Sequence, residues 1–190
     1  MVTALDKNTA LILIDLQKGV LHSRPIKALN EVLENAAKLV DAFHKAGLPV
    51  VLVNVNPAKA TWMNVRKDAK QQQALPTAEG WLDIVPEIKS QPGDIFITKH
   101  TWGAFYETAL DEELKKRNVT GIVLGGVSTS IGVEGTARGA SERGYNITFA
   151  KDAMTDMFDE AHEHSLKYIF PRIGETGETK DVIEMLSTIV

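Results

Sequence analysis

Thr9-Ala10-Leu11-Ile12-Leu13-Ile14 is apolar without interruption from Ala10 onward and runs directly into Asp15. A short apolar run with no alternation suits a strand buried on both faces, as in a parallel sheet. Downstream, residues 28–46 carry Leu29, Val32, Leu33, Ala36, Leu39, Val40 and Phe43 at helical spacing, and Gly47 follows at the expected helix end. Pro49-Val50-Val51-Leu52-Val53-Asn54-Val55 predicts a second strand. Asp94-Ile95-Phe96-Ile97-Thr98 predicts another, which delivers Lys99. Residues 108–117 predict a short helix with Thr108 as N-cap and Asp111 three positions on. The pattern continues with a strand over 121–125, a helix over 130–143 stopped by Gly144, and a strand over 145–150. A helix over 159–168, a short last strand at Ile169-Phe170 and a closing helix over 179–189 complete it. Strands alternating with helices predict an α/β fold whose parallel sheet is covered on both faces.

Between residues 56 and 93 the periodicity weakens, and Pro57, Pro76, Gly80, Pro86 and Pro92 punctuate the chain. An excursion of that length often surrounds a functional site. No repeat, low-complexity segment or linker divides residues 1–190, which read as one domain.

Composition narrows the function classes. At 190 residues, 44% hydrophobic and 24% charged, the chain can bury a full core. A formal net charge of -4 argues against a nucleic-acid partner, which needs a clustered basic surface. The basic group Lys115-Lys116-Arg117 follows Glu112 and Glu113 and reads as a solvated helix end. The absence of cysteine excludes disulfides, thiolate metal sites and a cysteine nucleophile. The opening Met1-Val2-Thr3-Ala4-Leu5-Asp6-Lys7 lacks a signal-peptide pattern and no apolar run is long enough to span a bilayer, so a cytoplasmic protein without a membrane partner is expected.

Ligands of open parallel sheets bind beyond the carboxyl ends of the strands. The residues just after each strand are therefore the informative ones. They are Asp15 and Gln17; Asn54 and Asn56; Lys99, His100, Trp102 and Phe105; and Gly126-Val127-Ser128-Thr129-Ser130-Ile131-Gly132. Asp15, ending an apolar strand, reads either as a general acid or base or as a capping aspartate. Lys99 reads either as the cation that tunes Asp15 and steadies developing negative charge or as half of a structural ion pair. The tight turn after the fourth strand could present backbone N–H groups to an oxyanion. It is neither a dinucleotide fingerprint nor a Walker loop. Ser128, Thr129 and Ser130 lack the G-x-S-x-G context of a serine nucleophile, and no histidine is obviously placed to activate them. His44 reads as a helix C-terminal residue, and His162 and His164, two apart on a helix, do not share a metal. No metal or cofactor is implied. Of the tryptophans, Trp62 and Trp102 are candidates for a pocket wall, whereas Trp81 reads as packing.

Taken together, these segments resemble the isochorismatase-like hydrolase superfamily, which includes nicotinamidases and N-carbamoyl amide hydrolases. The resemblance rests on Ala10-Leu11-Ile12-Leu13-Ile14-Asp15-Leu16-Gln17, Thr98-Lys99-His100-Thr101-Trp102-Gly103-Ala104-Phe105 and Gly126-Val127-Ser128-Thr129-Ser130-Ile131-Gly132-Val133-Glu134-Gly135-Thr136-Ala137. Lys151-Asp152-Ala153-Met154-Thr155-Asp156 and Phe170-Pro171-Arg172-Ile173 add to it, and the order is kept along nearly the whole chain. The resemblance implies a Rossmann-like three-layer α/β/α sandwich with a six-stranded parallel sheet. It implies catalytic roles for Asp15 and Lys99, and substrate or oxyanion contacts at Val127, Ser128, Gly132, Trp102 and Phe105. It also implies a cis peptide between Val127 and Ser128, a small-molecule substrate and a homodimer or homotetramer.

In the cysteine hydrolases of this family the aspartate acts as base toward a cysteine, and that position falls on Gly132 here. Asn54-Val55-Asn56-Pro57 stands where the nicotinamidases carry an aspartate and histidine metal-binding pattern. In true isochorismatases, which also have glycine at this position, the aspartate is a general acid. It protonates the vinyl ether carbon, and water captures the oxocarbenium to release pyruvate. Residues 128–132 lack the aromatic and histidine expected of the true isochorismatase loop, and Phe170-Pro171-Arg172-Ile173-Gly174 looks like the general hydrolase branch. Arg66 and Lys67 are the candidates for a substrate carboxylate. The expectation is a hydrolase using Asp15 and Lys99 without a cysteine. The alternatives are a catalytically inactive member that binds a small metabolite, or a structural oligomer subunit.

Overall fold

The computed structural model describes residues 2–22, 28–60, 62, 65–68 and 79–189, the side chain of Lys59 excepted. Six parallel strands form one sheet: β1 (Thr9–Ile14), β2 (Val50–Val55), β3 (Ile95–Lys99), β4 (Gly121–Val127), β5 (Asn146–Thr155) and β6 (Glu175–Gly177). Their spatial order is β3-β2-β1-β4-β5-β6, with every neighbouring pair parallel. The helices are α1 (Lys18–Leu21), α2 (Leu29–Lys45), α3 (Leu110–Lys116), α4 (Glu134–Ser141), α5 (Asp159–His164) and α6 (Thr179–Ile189). The winding starts at β1, runs outward to β3 and then returns to continue from β4. The carboxyl ends of β1 and β4 are therefore the switch point where a crevice opens.

Every residue of β1 is buried, as its unbroken apolar run requires. Leu11, Leu13, Leu52 and Val123 pack on Ala36, Leu39 and Phe43 of α2 and on Val182 and Leu186 of α6. On the other face Ile12, Ile14, Val53 and Leu124 meet Leu110 and Leu114 of α3 and Ala137 and Ala140 of α4. These two clusters make the layers of the α/β/α sandwich. Edge strand β3 alternates instead, with Ile95 and Ile97 buried and Phe96 exposed. No helix of the described residues is long and apolar enough to cross a membrane.

Several boundaries differ from the sequence reading. β4 continues to Val127, and β5 continues to Thr155 rather than stopping at Ala150. The pairing of these strands shifts register between Leu124 and Gly126, so β5 resumes beyond the polar interruption Lys151-Asp152 that ends its apolar pattern. Ile169-Phe170 is not a strand. Phe170–Arg172 is a single 3-10 turn, and the Phe170 ring stacks on Phe149 with centroids 3.8 Å apart. The last strand is the short polar Glu175–Gly177, which has no apolar pattern to betray it. The helix expected over 130–143 begins as a wide π-type turn at Thr129–Val133 before α4, and α5 passes into a similar turn at Ser165–Ile169. At α3 the residue before the helix is Ala109, while the Thr108 hydroxyl accepts from Leu110 N at 3.2 Å. The solvated reading of Lys115, Lys116 and Arg117 holds, since each pairs with Asp111 or Glu113 on the same helix.

Gly126 shapes the crevice. It lies opposite Ile14 in the β1–β4 pairing with φ 114°, a region open to glycine, and a Cβ there would sit 2.2 Å from Ile14 O. The ends of the two central strands can approach only because this side chain is missing.

Candidate active site

The apolar core of β1 ends on a carboxylate that is largely shielded from water. Asp15 is 6% exposed and adopts a left-handed φ of 54° as the chain leaves the strand, while its N–H donates to Val53 O at 2.9 Å. Its Oδ2 accepts from Lys99 Nζ at 2.9 Å, and Lys99, from the end of β3, is 2% exposed. Lys99 Nζ also donates to Thr101 O at 3.1 Å. Asp15 Oδ1 is buried and has no hydrogen-bond partner among the described residues. Burial pushes the Asp15 carboxyl above its ordinary range, and the charge and hydrogen bond of Lys99 oppose that rise without cancelling it.

Opposite it, the turn after β4 is folded tightly. The Val127–Ser128 peptide is cis. Ser128 O accepts from both Ile131 N and Val133 N at 3.2 Å. Ser130 N donates to Asp156 Oδ2 at 2.8 Å. With the amides of Ser130, Ile131 and Val133 engaged, those of Ser128, Thr129 and Gly132 are the turn's remaining candidates for holding an oxyanion. The Thr136 hydroxyl donates to Gly132 O at 2.7 Å and accepts from Ala104 N at 3.0 Å, tying this turn to the segment that follows Lys99.

Gly132 abuts the ion pair. A Cβ built on it would lie 3.3 Å from Asp15 Oδ2, 3.2 Å from Val127 O and 2.9 Å from Ile14 Cγ2. The last contact falls on a fully buried strand residue that has little room to yield. Gly132→Ala is therefore expected to cost about 1–3 kcal/mol through overpacking. Urea unfolding of the variant beside the native chain checks this.

Other residues selected from the sequence are placed as follows. Trp102 is 48% exposed and meets Trp62 edge-to-face at 5.8 Å, so both stand on the outer part of this end of the sheet. Lys67 lies over the Trp62 ring at 5.1 Å, and Arg66 is exposed near it in sequence. Phe105 is elsewhere: 6% exposed, stacked on Tyr145 at 5.8 Å and packed into the α3–α4 face of the core. A ring that follows Trp102 by three residues passes under α4, where Gly139 leaves room for it, instead of reaching the crevice. Gln17 is fully buried and structural, donating to Val55 O and Trp81 O at 3.1 Å and accepting from Val55 N. Trp81 packs against Gly19. Pro76 of the excursion lies outside the described residues.

The serine and metal readings can be placed too. Ser130 Oγ donates to Asp156 Oδ2 at 2.8 Å, and Thr129, with its hydroxyl 2.8 Å from His162 Nδ1, is fully buried. At the nicotinamidase-like metal position, Asn54 Nδ2 donates to Leu82 O and Asn56 Oδ1 accepts from Ala58 N. Asn54 Oδ1 is buried without a hydrogen-bond partner among the described residues, and neither amide brings the negative charge of the aspartate expected in a nicotinamidase-like metal site. Among the described residues no group of three or more His, Asp or Glu side chains is placed to hold a metal ion. His44, in the last turn of α2, bonds Asp94 at 2.7 Å. Cavities of about 320 Å³ and 670 Å³ open at the amino ends of the strands, one beside Thr9 and Asn146, the other beside Val50 and His44. They lie at the opposite end of the sheet from Asp15 and Lys99.

Sequence reasoning passed over Asp156 and Thr136 as site residues. Asp156 follows the last residue of β5, so the strand-end rule selects it once the strand is known to reach Thr155. Thr136, a small polar residue inside a helix, carries no signal of its bridging role.

Comparison with known proteins follows the same lines. The family model of the isochorismatase domain matches residues 9–181. An uncharacterized isochorismatase family protein of Bacillus subtilis (strain 168), YwoC, is 42% identical over 188 residues, covering 95% of each chain. Nicotinamidase 3 of Arabidopsis thaliana is 29% identical over 163 residues, covering 84% of this chain and 79% of that one. The solved structure of an isochorismatase family protein from Burkholderia thailandensis superposes with a TM-score of 0.90 at 34% identity, over 98% of this chain and 100% of that one. The parallel sheet, the ordered motifs and these matches agree, and the chain belongs to the isochorismatase family of hydrolases.

Proposed function

We propose that the protein hydrolyses a small metabolite without a covalent nucleophile, with Asp15 moving the proton and Lys99 as its cationic partner. The observation that carries this reading is the buried Oδ1 of Asp15, which has no partner among the described residues, while Gly132 packs so closely on the Lys99-bound oxygen that no side chain fits there. Burial favours the protonated acid, which suits proton donation to a vinyl ether carbon. In that reaction the Asp15 proton forms the new C–H bond, water adds to the oxocarbenium, and collapse of the hemiketal gives pyruvate and an alcohol. The negative charge left on Asp15 is held by Lys99, and water returns the proton. For an amide substrate the same carboxyl, ionised, would take a proton from the attacking water, and the amides of Ser128 and Gly132 would hold the oxyanion. Val127 fixes this turn from the strand side, and Trp102 supplies an aromatic wall. The same reading includes a cytoplasmic homodimer or homotetramer.

The test is pyruvate release from isochorismate and ammonia release from nicotinamide, for the native chain and for Asp15→Asn. Product from the native chain and none from the variant is the expected result. Full activity in Asp15→Asn would remove the assignment. Inactivity toward both compounds, with tight binding of either, would favour a binding member of the family. The pH profile separates acid from base. As general acid, Asp15 works while protonated, so the rate falls as pH rises through its raised pKa. A rate that climbs through the same region would identify the base.

A further inference from the structure

The carboxylate of Asp156 is 4% exposed, yet no cation lies within ion-pairing distance of it among the described residues. Four donors surround it instead. Oδ2 accepts from Ser130 N and Ser130 Oγ, each at 2.8 Å. Oδ1 accepts from Met157 N at 2.7 Å and from Phe158 N at 3.4 Å. Such a set calls for a group that only accepts, which ionised carboxylate is and an amide is not. Burying a charge without a counter-ion is costly, so its presence here points to a task beyond filling space.

That task is legible in what Ser130 belongs to. Its residue lies two positions after Ser128 and two before Gly132, whose absent Cβ would stand 3.3 Å from Asp15 Oδ2. The turn is held from the β5 side by Asp156, from α5 by His162 through Thr129, and from α4 by Thr136 through Gly132 O. Of these anchors only Asp156 fixes a backbone amide in the centre of the turn with a full charge, and charge-assisted bonds are the strong ones.

We infer that Asp156 is a positioning residue. It sets the 128–132 turn, and with it the amides of Ser128 and Gly132, against the Asp15–Lys99 pair. The inference rests on the hydrolytic reading of that pair. Displacing reacting groups by about 1 Å can cost on the order of 10²-fold in rate. Asp156→Asn places an NH2 against N–H donors on one side and so releases either Ser130 or the Met157-Phe158 amides. Ser130→Ala removes one bond and leaves the amide contact intact.

The experiment measures kcat and KM on isochorismate and nicotinamide, together with thermal unfolding, for the native chain, Asp156→Asn and Ser130→Ala. Amide exchange at Ile131, Gly132 and Val133 is followed by NMR in parallel. The expected result is a folded Asp156→Asn protein with kcat lowered about 10²-fold and KM little changed. Ser130→Ala should show a smaller fall in the same direction. Native kcat in a folded Asp156→Asn protein, or a lowered melting temperature with unchanged kcat per folded molecule, would overturn the inference. Should Asp156→Asn not fold, Ser130→Ala decides, with unchanged kcat counting against positioning. If the native chain acts on neither compound, the hydrolytic reading falls and exchange decides positioning by itself. Exchange faster by about tenfold in the turn, with β4 and β5 amides unaffected, upholds it, and unchanged exchange rejects it.

Discussion

Asp15→Asn is expected to lower kcat by about 10²–10⁴-fold, the contribution typical of a positioned acid or base. Asparagine keeps the size of the side chain and can still accept from Lys99 Nζ, the contact now made at 2.9 Å. It can neither donate an acidic proton nor take one at neutral pH. The variant leaves Lys99 without its counter-ion and should be less stable than the native chain, although Lys99 keeps the asparagine oxygen and Thr101 O as acceptors. Steady-state kinetics on the compounds released to product by the native chain, with circular dichroism to show that the variant is folded, gives the result directly. A variant folded like the native chain but with undiminished kcat would mean that the proton comes from elsewhere.

Lys99→Met should be the most destabilising of the site substitutions, by about 3–5 kcal/mol, because it leaves an uncompensated charge in the interior. The partners are 2% and 9% exposed at their side chains, so solvent screens them little. Removing Lys99 also removes the influence that holds the Asp15 pKa down, so the carboxyl rises further above its ordinary value of 3.8. The sign follows by linkage. A carboxyl whose folded pKa is raised contributes stability that is complete below its unfolded pKa and is lost as pH rises through the folded pKa. The deficit of Lys99→Met relative to the native chain should therefore shrink as pH is lowered toward 3.8, where Asp15 is neutral and needs no counter-ion. Urea unfolding at neutral and acid pH measures it. The double variant Asp15→Asn with Lys99→Met, lacking both charges, should be more stable than Lys99→Met alone.

Much of this organisation was legible in the chain itself. The unbroken burial of Thr9–Ile14 follows from its apolar run, and the seven apolar positions read on α2 face the sheet because they recur at helical spacing. Asp15 and Lys99 were selectable because each ends an apolar strand, and parallel strands place their carboxyl ends together. What failed had no local signal. β6 is three polar residues held by pairing with β5, and β5 itself crosses Lys151-Asp152 because Gly125 admits the carbonyl of Ala153 beside it. Phe105 sits in the same motif as Trp102 yet faces the core, packed with Leu110, Leu114 and Ala140.

The class of fold and the identity of the two charged groups that follow the apolar runs of β1 and β3 could be read from the chain alone. The contact itself, 2.9 Å from Lys99 Nζ to one carboxylate oxygen with the other lacking a partner among the described residues, comes from strand packing. The same packing brings Gly132 beside Asp15 and lets Asp156 grip the turn between them. Periodicity along a chain reports which face of an element is apolar. The distance between the ends of β1, β3 and β5, separated by up to 141 residues from Asp15 to Asp156 (156 − 15), is set by strand order and packing, which no local pattern encodes.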